Sequence, residues 1–139
     1  MSRKEVLVFL ARLFVVAVLF LPACSRRDPN VLEPTAALEL IASRRGHPDF
    51  VLVDVRTLGE FRAGHIEGAR LIDFHGADFL QKMAELDRES TVFLYCRSGN
   101  RSAKARRELR EMGFVTTYDL AGGVIAWSET GLPLVRAAP

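Results

Sequence analysis

The sequence predicts one α/β domain, in which a central, mostly parallel sheet is flanked by helices on both faces. Strand-like and helix-like segments alternate along the chain at the spacing typical of β–α units. Two strand-like segments, residues 50–55 and 91–95, are nearly continuous apolar runs, as in strands that are covered on both faces. The length of 139 residues suits a single domain with its own core, and the chain has no internal repeat.

The elements can be placed in order from apolar spacing and from turn residues. Pro34 and Thr35 open a helix that continues to about Arg44, and Gly46-His47-Pro48 ends it. Gly113 is predicted to cap the helix that precedes it. The other predicted elements follow in alternation: strand 50–55, a short strand at 70–74, helix 78–86, strand 91–95, helix 103–112, strand 115–120 and helix 124–130.

The N-terminus predicts an export signal over residues 1–23. Arg3 and Lys4 precede the nine uninterrupted apolar residues 13–21, which are too few for an ordinary membrane-spanning helix of about 20 residues. Leu21-Pro22-Ala23-Cys24 resembles the lipobox of bacterial lipoproteins, and this resemblance implies a lipid on Cys24 and attachment in the cell envelope. By the same resemblance to lipoproteins, Ser25 at the next position, where aspartate is absent, implies the outer membrane. Simple cleavage and a retained anchor stay open as alternatives.

Composition indicates where the folded domain begins and which classes of partner are excluded. Residues 24–34 are mostly polar and contain two prolines, so we interpret them as a tether ahead of a domain at 35–136. Of 19 basic and 17 acidic residues, three basic and one acidic lie in residues 1–23, which leaves 16 of each sign. This balance argues against a nucleic-acid partner, which usually needs a concentrated basic surface. Nothing in the sequence specifies an oligomer, so a monomer is the default expectation.

A candidate reactive cysteine lies where a strand turns into a helix. Cys96 follows the apolar run 91–95 and opens the loop Cys96-Arg97-Ser98-Gly99-Asn100-Arg101-Ser102. Such a placement directs backbone N–H groups and the positive end of a helix dipole at the sulfur. Both favour the thiolate, which is the nucleophilic form of cysteine. The sequence therefore predicts that Cys96 is a nucleophile.

Three motifs in order resemble the rhodanese family, the sulfurtransferases that carry sulfur as a cysteine persulfide. The first is Asp54-Val55-Arg56, followed by Glu60-Phe61 and by Gly64-His65-Ile66-Glu67-Gly68-Ala69. The second is the Cys96 loop, and the third is Leu120-Ala121-Gly122-Gly123 with Trp127 and Gly131-Leu132-Pro133. Together they cover roughly residues 35 to 135. The resemblance implies a single rhodanese-like domain.

The resemblance also implies the chemistry and the small-molecule partners. Cys96 would take sulfur from a small anionic donor such as thiosulfate and pass it to cyanide or a thiol, with no cofactor. A related class of phosphatases uses a C-x5-R loop, whereas Cys96 to Arg101 is C-x4-R and matches sulfur transfer. Ser98 stands where thiosulfate-preferring rhodaneses often carry a basic residue, so the donor stays open. A sulfur-carrying, redox-sensing or protein-interaction module without turnover is the alternative function.

Roles for the other residues follow from the same resemblance. Substrate-binding residues are Arg97, Ser98, Gly99, Asn100 and Arg101, and structural-support residues are Asp54, Arg56, Glu60 and His65. Arg101 has a second interpretation, as an ion-pair partner of Asp54 or Glu60 that ties the loop to the domain.

No metal or disulfide is expected. The three histidines, His47, His65 and His75, are scattered without ligand spacing, which argues against a metal site. If Cys24 carries a lipid, Cys96 is the one remaining thiol, so no internal disulfide can form and the thiolate is open to oxidation.

Overall fold

The computed structural model describes residues 28–136, and the predicted signal peptide and Cys24 lie outside this range. Within it, five strands and five helices alternate along the chain. They are β1 (Val31–Leu32), α1 (Pro34–Arg44), β2 (Phe50–Asp54), α2 (Leu58–Ala63), β3 (Arg70–Leu71), α3 (Phe79–Ala84), β4 (Thr91–Tyr95), α4 (Asn100–Glu111), β5 (Thr116–Leu120) and α5 (Gly123–Glu129).

The strands form one sheet in the order β1-β5-β4-β2-β3, and every pairing between neighbours is parallel. The strand β4 lies at the centre, with Leu94 opposite Val53 of β2 on one side and opposite Asp119 of β5 on the other. All five residues of β4 are buried, as expected for a strand covered on both faces. The predicted α/β fold with a parallel sheet is therefore confirmed.

Two apolar clusters, one on each face of the sheet, form the core. On one face, Phe79 and Met83 of α3 and Ala105 and Leu109 of α4 pack with alternate side chains of the strands. On the other face, α1 and α5 cover the remaining strand side chains, and Trp127 of α5 is the largest of the fully buried side chains. Because side chains of a strand alternate between the faces, β2 and β4 each contribute to both clusters.

The structure adds two elements to those predicted. The helix α2 has no fully buried residue, and it is held by a capping box in which Thr57 and Glu60 satisfy each other's backbone N–H groups. The strand β1 lies inside the segment interpreted as a tether, and it pairs with β5 through Val31 and Leu32. The tether interpretation is therefore wrong for this part of residues 24–34, because the ordered domain begins before residue 35.

Other differences concern the ends of elements. Gly99 adopts a left-handed conformation with φ of 94°, and α4 begins directly after it at Asn100, three residues earlier than predicted. The predicted strand at 70–74 is regular only at Arg70–Leu71, although the N–H groups of Ile72 and Phe74 still donate to the carbonyls of Asp54 and Val55. Gly113 ends α4 as predicted: its φ is 89°, and the next N–H, from Phe114, donates to the carbonyl of Leu109. Within residues 28–136, no helix has the length and apolar character needed to cross a bilayer.

Candidate active site

The central strand delivers Cys96 to the carboxyl edge of the sheet. Cys96 directly follows β4, and the loop from Cys96 to Gly99 leads into the first turn of α4. Only glycine adopts the left-handed conformation of Gly99 without strain, so this residue lets the chain turn back over the sulfur. The prediction that the cysteine lies at a strand-to-helix junction is confirmed.

Hydrogen-bond donors converge on the cysteine sulfur. The N–H of Gly99 donates to Sγ of Cys96 over 3.1 Å, and the hydroxyl of Ser102 lies 3.5 Å from the same atom. Burial of Cys96, which is 1% exposed, raises the pKa of the thiol. The hydroxyl of Ser102 and the backbone N–H groups of Ser102, Ser98 and Gly99 oppose this effect, and the net pKa of Cys96 is lowered. The loop therefore favours the thiolate, as expected for a nucleophile.

The helix α5 donates hydrogen bonds to the backbone of the Cys96 loop. The N–H of Val124 donates to the carbonyl of Cys96 over 2.9 Å, and that of Ile125 to the carbonyl of Arg97 over 3.1 Å. A Cβ atom on Gly123 would lie 2.5 Å from the carbonyl oxygen of Cys96, so only glycine permits this approach. Because α5 satisfies these two carbonyl groups, the loop can present N–H groups to the sulfur. The sequence singled out Gly122 and Gly123 by resemblance but did not predict this contact.

Arg101 links the loop to the first motif. Its guanidinium donates two hydrogen bonds to Glu60, at 2.6 Å and 2.9 Å. The pKa of Glu60 is lowered to about 2, chiefly by Arg101 against the opposing effect of burial and with help from Thr57. Arg101, predicted as a substrate-binding residue with an alternative role in an ion pair, is thus placed in an ion pair with Glu60 and not with Asp54.

The buried pair of Asp54 and Arg56 supports the end of the sheet. Arg56 donates to Asp54 at 2.7 Å and to the carbonyl of Gly64 at 2.6 Å, and its guanidinium lies 5.6 Å from the ring centre of Tyr95. Burial would lower the pKa of Arg56, but Asp54 raises it and keeps the side chain charged. The hydroxyl of Tyr95 accepts a hydrogen bond from the N–H of Ile66. The first motif is therefore fastened to the strand that precedes Cys96.

His65 belongs to this scaffold as well. Its Nδ1 lies 3.0 Å from the carbonyl of Phe61, and its ring stacks on the Phe61 ring at 3.7 Å between centroids. Its backbone forms an antiparallel bridge with Val135. These contacts join His65 to the residues on both sides of it in the fold, while His47 and His75 lie in other parts of the domain. Among residues 28–136, no three His, Cys, Asp or Glu side chains form a group that could hold a metal ion.

An open pocket of about 450 Å³ lies beside the loop, between α2 and α5. Arg97 borders it from the loop, and Val124 and Ile125 form an apolar wall on α5. Arg97 is exposed and has no ion-pair partner among residues 28–136, so its charge is available to an anion. Ser98 and Asn100 are exposed on the same loop.

Ser102 is the residue at the sulfur that the sequence analysis left without a role. It is fully buried in the first turn of α4, and its hydroxyl lies within hydrogen-bond distance of both Cys96 and the carbonyl of Gly99. A hydroxyl residue six positions after the cysteine, at the start of the predicted helix, is the signal that could have found it.

Comparison with known proteins agrees with this arrangement. The model of the Rhodanese-like domain matches residues 37–130. The chain is 39% identical over 87 residues to a sulfurtransferase of Allochromatium vinosum, a match that covers 63% of this chain and 79% of that protein. It is 40% identical over 100 residues to the thiosulfate sulfurtransferase GlpE of Pseudomonas putida, covering 71% and 84%.

A solved structure shows the same architecture. The crystal structure of a rhodanese-related protein from Thermoplasma volcanium superposes with a TM-score of 0.66 at 27% identity, covering 78% of this chain and 99% of that one. Together with the parallel sheet and the Cys96 loop, these matches show that the chain belongs to the rhodanese-like family.

Proposed function

We propose that this protein is a sulfurtransferase, which moves sulfane sulfur from a donor such as thiosulfate to a thiophilic acceptor through a persulfide on Cys96. The proposal rests on one observation. The pKa of the Cys96 thiol, at the centre of a tight loop, is lowered by hydrogen bonds from the Gly99 N–H and the Ser102 hydroxyl. The sulfurtransferase names of the relatives support the same reaction class.

The first half-reaction loads the cysteine. The thiolate of Cys96 attacks the outer sulfur of thiosulfate, the S–S bond of the donor breaks, and sulfite leaves with the bonding electron pair. The product is the anionic persulfide Cys96–S–S⁻, and the charges balance without an external oxidant. Arg97, exposed beside the pocket, attracts the anionic donor over several ångströms.

The second half-reaction removes the transferred sulfur from Cys96. Cyanide or a thiolate attacks the terminal sulfur, and the Cys96 thiolate leaves with the electron pair of the S–S bond. With cyanide the product is thiocyanate, and the enzyme returns to its starting state. The N–H of Gly99 and the hydroxyl of Ser102 stabilise this leaving thiolate, so the same fixed donors serve both half-reactions.

Ser98 is exposed and uncharged, and Arg101 is paired with Glu60, so the loop offers no second unpaired cation for sulfite-like oxygens. We therefore place a persulfide or polysulfide beside thiosulfate among the candidate physiological donors. The apolar wall of Val124 and Ile125 suits an uncharged part of an acceptor thiol.

Thiocyanate release tests turnover. The full chain in detergent, carrying Cys24→Ser so that Cys96 is the one thiol, is given thiosulfate and cyanide. We expect this chain to release thiocyanate, and the same chain that also carries Cys96→Ser to release none. A persulfide that forms but is not passed to cyanide or to a thiol would support the carrier function instead. Hydrolysis of p-nitrophenyl phosphate that depends on Cys96 would support a phosphatase and contradict the proposal.

We also propose attachment to a bacterial cell-envelope membrane through a lipid on Cys24, which rests on the lipobox-like Leu21-Pro22-Ala23-Cys24 alone. Metabolic labelling with a radioactive fatty acid tests it. We expect label in the parental chain and none in Cys24→Ser, and an unlabelled parental chain recovered in the soluble fraction would contradict the attachment.

A further inference from the structure

The open pocket between α2 and α5 has a fixed position relative to the Cys96 loop. Val124 and Ile125 of its wall donate backbone hydrogen bonds to the carbonyls of Cys96 and Arg97, at 2.9 Å and 3.1 Å. The wall and the loop are thus joined by two hydrogen bonds. The volume of about 450 Å³ is in the range of sites that bind small molecules.

Four charged side chains line this pocket, and two of them are neutralised within the protein. Arg56 is paired with Asp54 at 2.7 Å, and Glu60 is paired with Arg101 at 2.6 Å. Because each of these charges lies against its opposite, neither pair is a strong site for a charged ligand.

The other two charged side chains, Arg97 and Glu129, are exposed and unpaired. Neither side chain takes part in a hydrogen bond or an ion pair with another residue in the range 28–136. Glu129 is the last residue of α5, four positions after Ile125. Four helical residues span about 6 Å along the axis. The pocket therefore offers a cation at the loop and an anion about one helical turn farther along α5.

The surface on the stretch of α5 between these two charges is apolar. Val124 lines the pocket, and Ile125, which lines it too, is 40% exposed. A ligand that reaches from the loop to Glu129 would place its middle part on these side chains, where burial of each CH₂ group is favourable.

The acceptor step gives this arrangement a chemical use. An acceptor thiolate must approach the anionic persulfide of Cys96, and the two anions repel each other. Arg97 reduces this repulsion at the loop. An ammonium group at the other end of the acceptor makes the whole molecule neutral, and Glu129 supplies the opposite charge for it.

We propose that the pocket accepts a small aminothiol, a thiol joined to an ammonium group by a short carbon chain, and that Glu129 selects it by binding the ammonium group. The aminothiolate attacks the outer sulfur of Cys96–S–S⁻, and the bond between the two persulfide sulfurs breaks. The Cys96 thiolate leaves with the electron pair, and the aminothiol departs as its own anionic persulfide. Two sulfur anions stand on each side of the step, so it needs no oxidant, and Glu129 exchanges no proton.

The inference rests on the proposed function, because it requires a persulfide on Cys96. Cyanide separates the two claims, because it has neither a carbon chain nor an ammonium group. If the loaded chain passes sulfur to cyanide while Glu129 has no influence on the choice among thiols, the proposed function stands and the inference is overturned. If no donor loads Cys96, both are overturned.

The measurement is the rate at which a loaded chain loses its sulfur in a single turnover. The full chain in detergent, carrying Cys24→Ser, is loaded with thiosulfate or a persulfide donor and freed of excess donor. It is then mixed with cysteamine, 2-mercaptoethanol, 3-mercaptopropionate or cyanide, and intact mass follows the loss of one sulfur atom. Each rate of a variant is divided by the parental rate with the same acceptor, so that differences in intrinsic reactivity cancel.

Substitutions of Glu129 should change the rates according to the charge of the acceptor. Glu129→Gln is expected to lower the relative rate with cysteamine roughly threefold, as for the loss of one exposed ion pair, and to leave 2-mercaptoethanol and cyanide unchanged. Glu129→Lys is expected to shift the ratio of cysteamine to 3-mercaptopropionate about tenfold toward the anionic thiol. An equal loss with all four acceptors would indicate a merely structural role, and such a loss, or no change with any acceptor, overturns the inference.

A matched control and a second variant complete the test. Glu111 is likewise an exposed, unpaired glutamate among the described residues and the last residue of its helix, but it lies at the end of α4 away from the Cys96 loop. Glu111→Gln is expected to change no rate. Ile125→Ser keeps the backbone N–H and should slow the three thiols about fourfold, the effect of roughly one buried CH₂ group, without slowing cyanide. If Ile125→Ser slowed cyanide as much as the thiols, the apolar wall would not contact the acceptor and the inference would fail.

Discussion

The ion pair between Arg101 and Glu60 gives the sharpest prediction about stability. Its two hydrogen bonds, at 2.6 Å and 2.9 Å, join the first turn of α4 to the capping box of α2. We choose Glu60→Gln because glutamine can still accept the hydrogen bonds from Thr57 that hold the capping box. The change removes the charge and leaves the helix cap in place.

The lowered pKa of Glu60 sets the size of the expected loss of stability. The difference between its ordinary value of 4.5 and about 2 corresponds to an upper limit of roughly 3 kcal/mol. The side chains of Glu60 and Arg101 are 28% and 20% exposed, so solvent screening reduces the contribution. We therefore expect Glu60→Gln to lower the free energy of unfolding at pH 7 by about 2 kcal/mol, or the melting temperature by roughly 8 °C.

The pH dependence has a fixed sign. A carboxylate whose pKa is lowered in the folded state stabilises the fold above its unfolded pKa, and this stabilisation is lost as the pH falls through the folded value. The contribution of Glu60 is thus complete above about pH 5.5 and declines between pH 4.5 and about 2. By about pH 3 the gap between the parental chain and Glu60→Gln should fall to less than roughly half of its value at pH 7.

Urea unfolding at pH 7 and pH 3 measures the gap, with Glu67→Gln as the matched control. Glu67 pairs with Arg45 at 2.7 Å, but the two side chains are 62% and 56% exposed. An exposed pair of this kind contributes about 0.5 kcal/mol. The reasoning would be refuted if Glu60→Gln cost no more than Glu67→Gln, or if its cost were the same at both pH values.

Three further predictions concern the loop and its support. Gly123→Ala places a Cβ atom 2.5 Å from a loop carbonyl, so it should lower the free energy of unfolding by about 3 kcal/mol, measured by thermal unfolding, and abolish thiocyanate release. The control Gly46→Ala is also at positive φ but has open space around it, so it should lower the free energy of unfolding by only about 1 kcal/mol and keep activity. Arg97→Ala should raise the KM for thiosulfate about tenfold or less, with little change in kcat, while the control Arg45→Ala at the other sheet edge leaves both unchanged. An equal effect of the two variants would contradict the role of Arg97 in attracting the donor. Asp54→Asn, which leaves a buried arginine without its counter-charge, should cost about 3–5 kcal/mol in urea unfolding, and a cost under about 1 kcal/mol would show that water reaches this arginine.

The elements that the sequence predicted are those with a strong local signal. Strand β4 and the loop after it were predictable, because an apolar run is followed by a cysteine, a glycine and a helix pattern. Strand β1 was not, because it has two residues and is defined only by its pairing with β5, almost 90 residues later. The six-residue helix α2 was missed because it buries no residue fully and so has no apolar face to detect.

The site was predictable in the same uneven way. Cys96 and its loop follow from local sequence, whereas the partner of Arg101 is 41 residues away and had to be left as a choice between two carboxylates. The close approach of Gly123 to the loop is likewise a tertiary contact, which a single sequence does not specify.

Intact-mass spectrometry of the Cys24→Ser chain, after thiosulfate and again after cyanide, tests the central claim most directly. The account predicts a gain of one sulfur atom, its loss with the appearance of thiocyanate on adding cyanide, and neither change in the matching Cys96→Ser chain. If a folded chain gains no sulfur from thiosulfate or from a persulfide donor, or gains it equally without Cys96, the claim that Cys96 carries the transferred sulfur is contradicted.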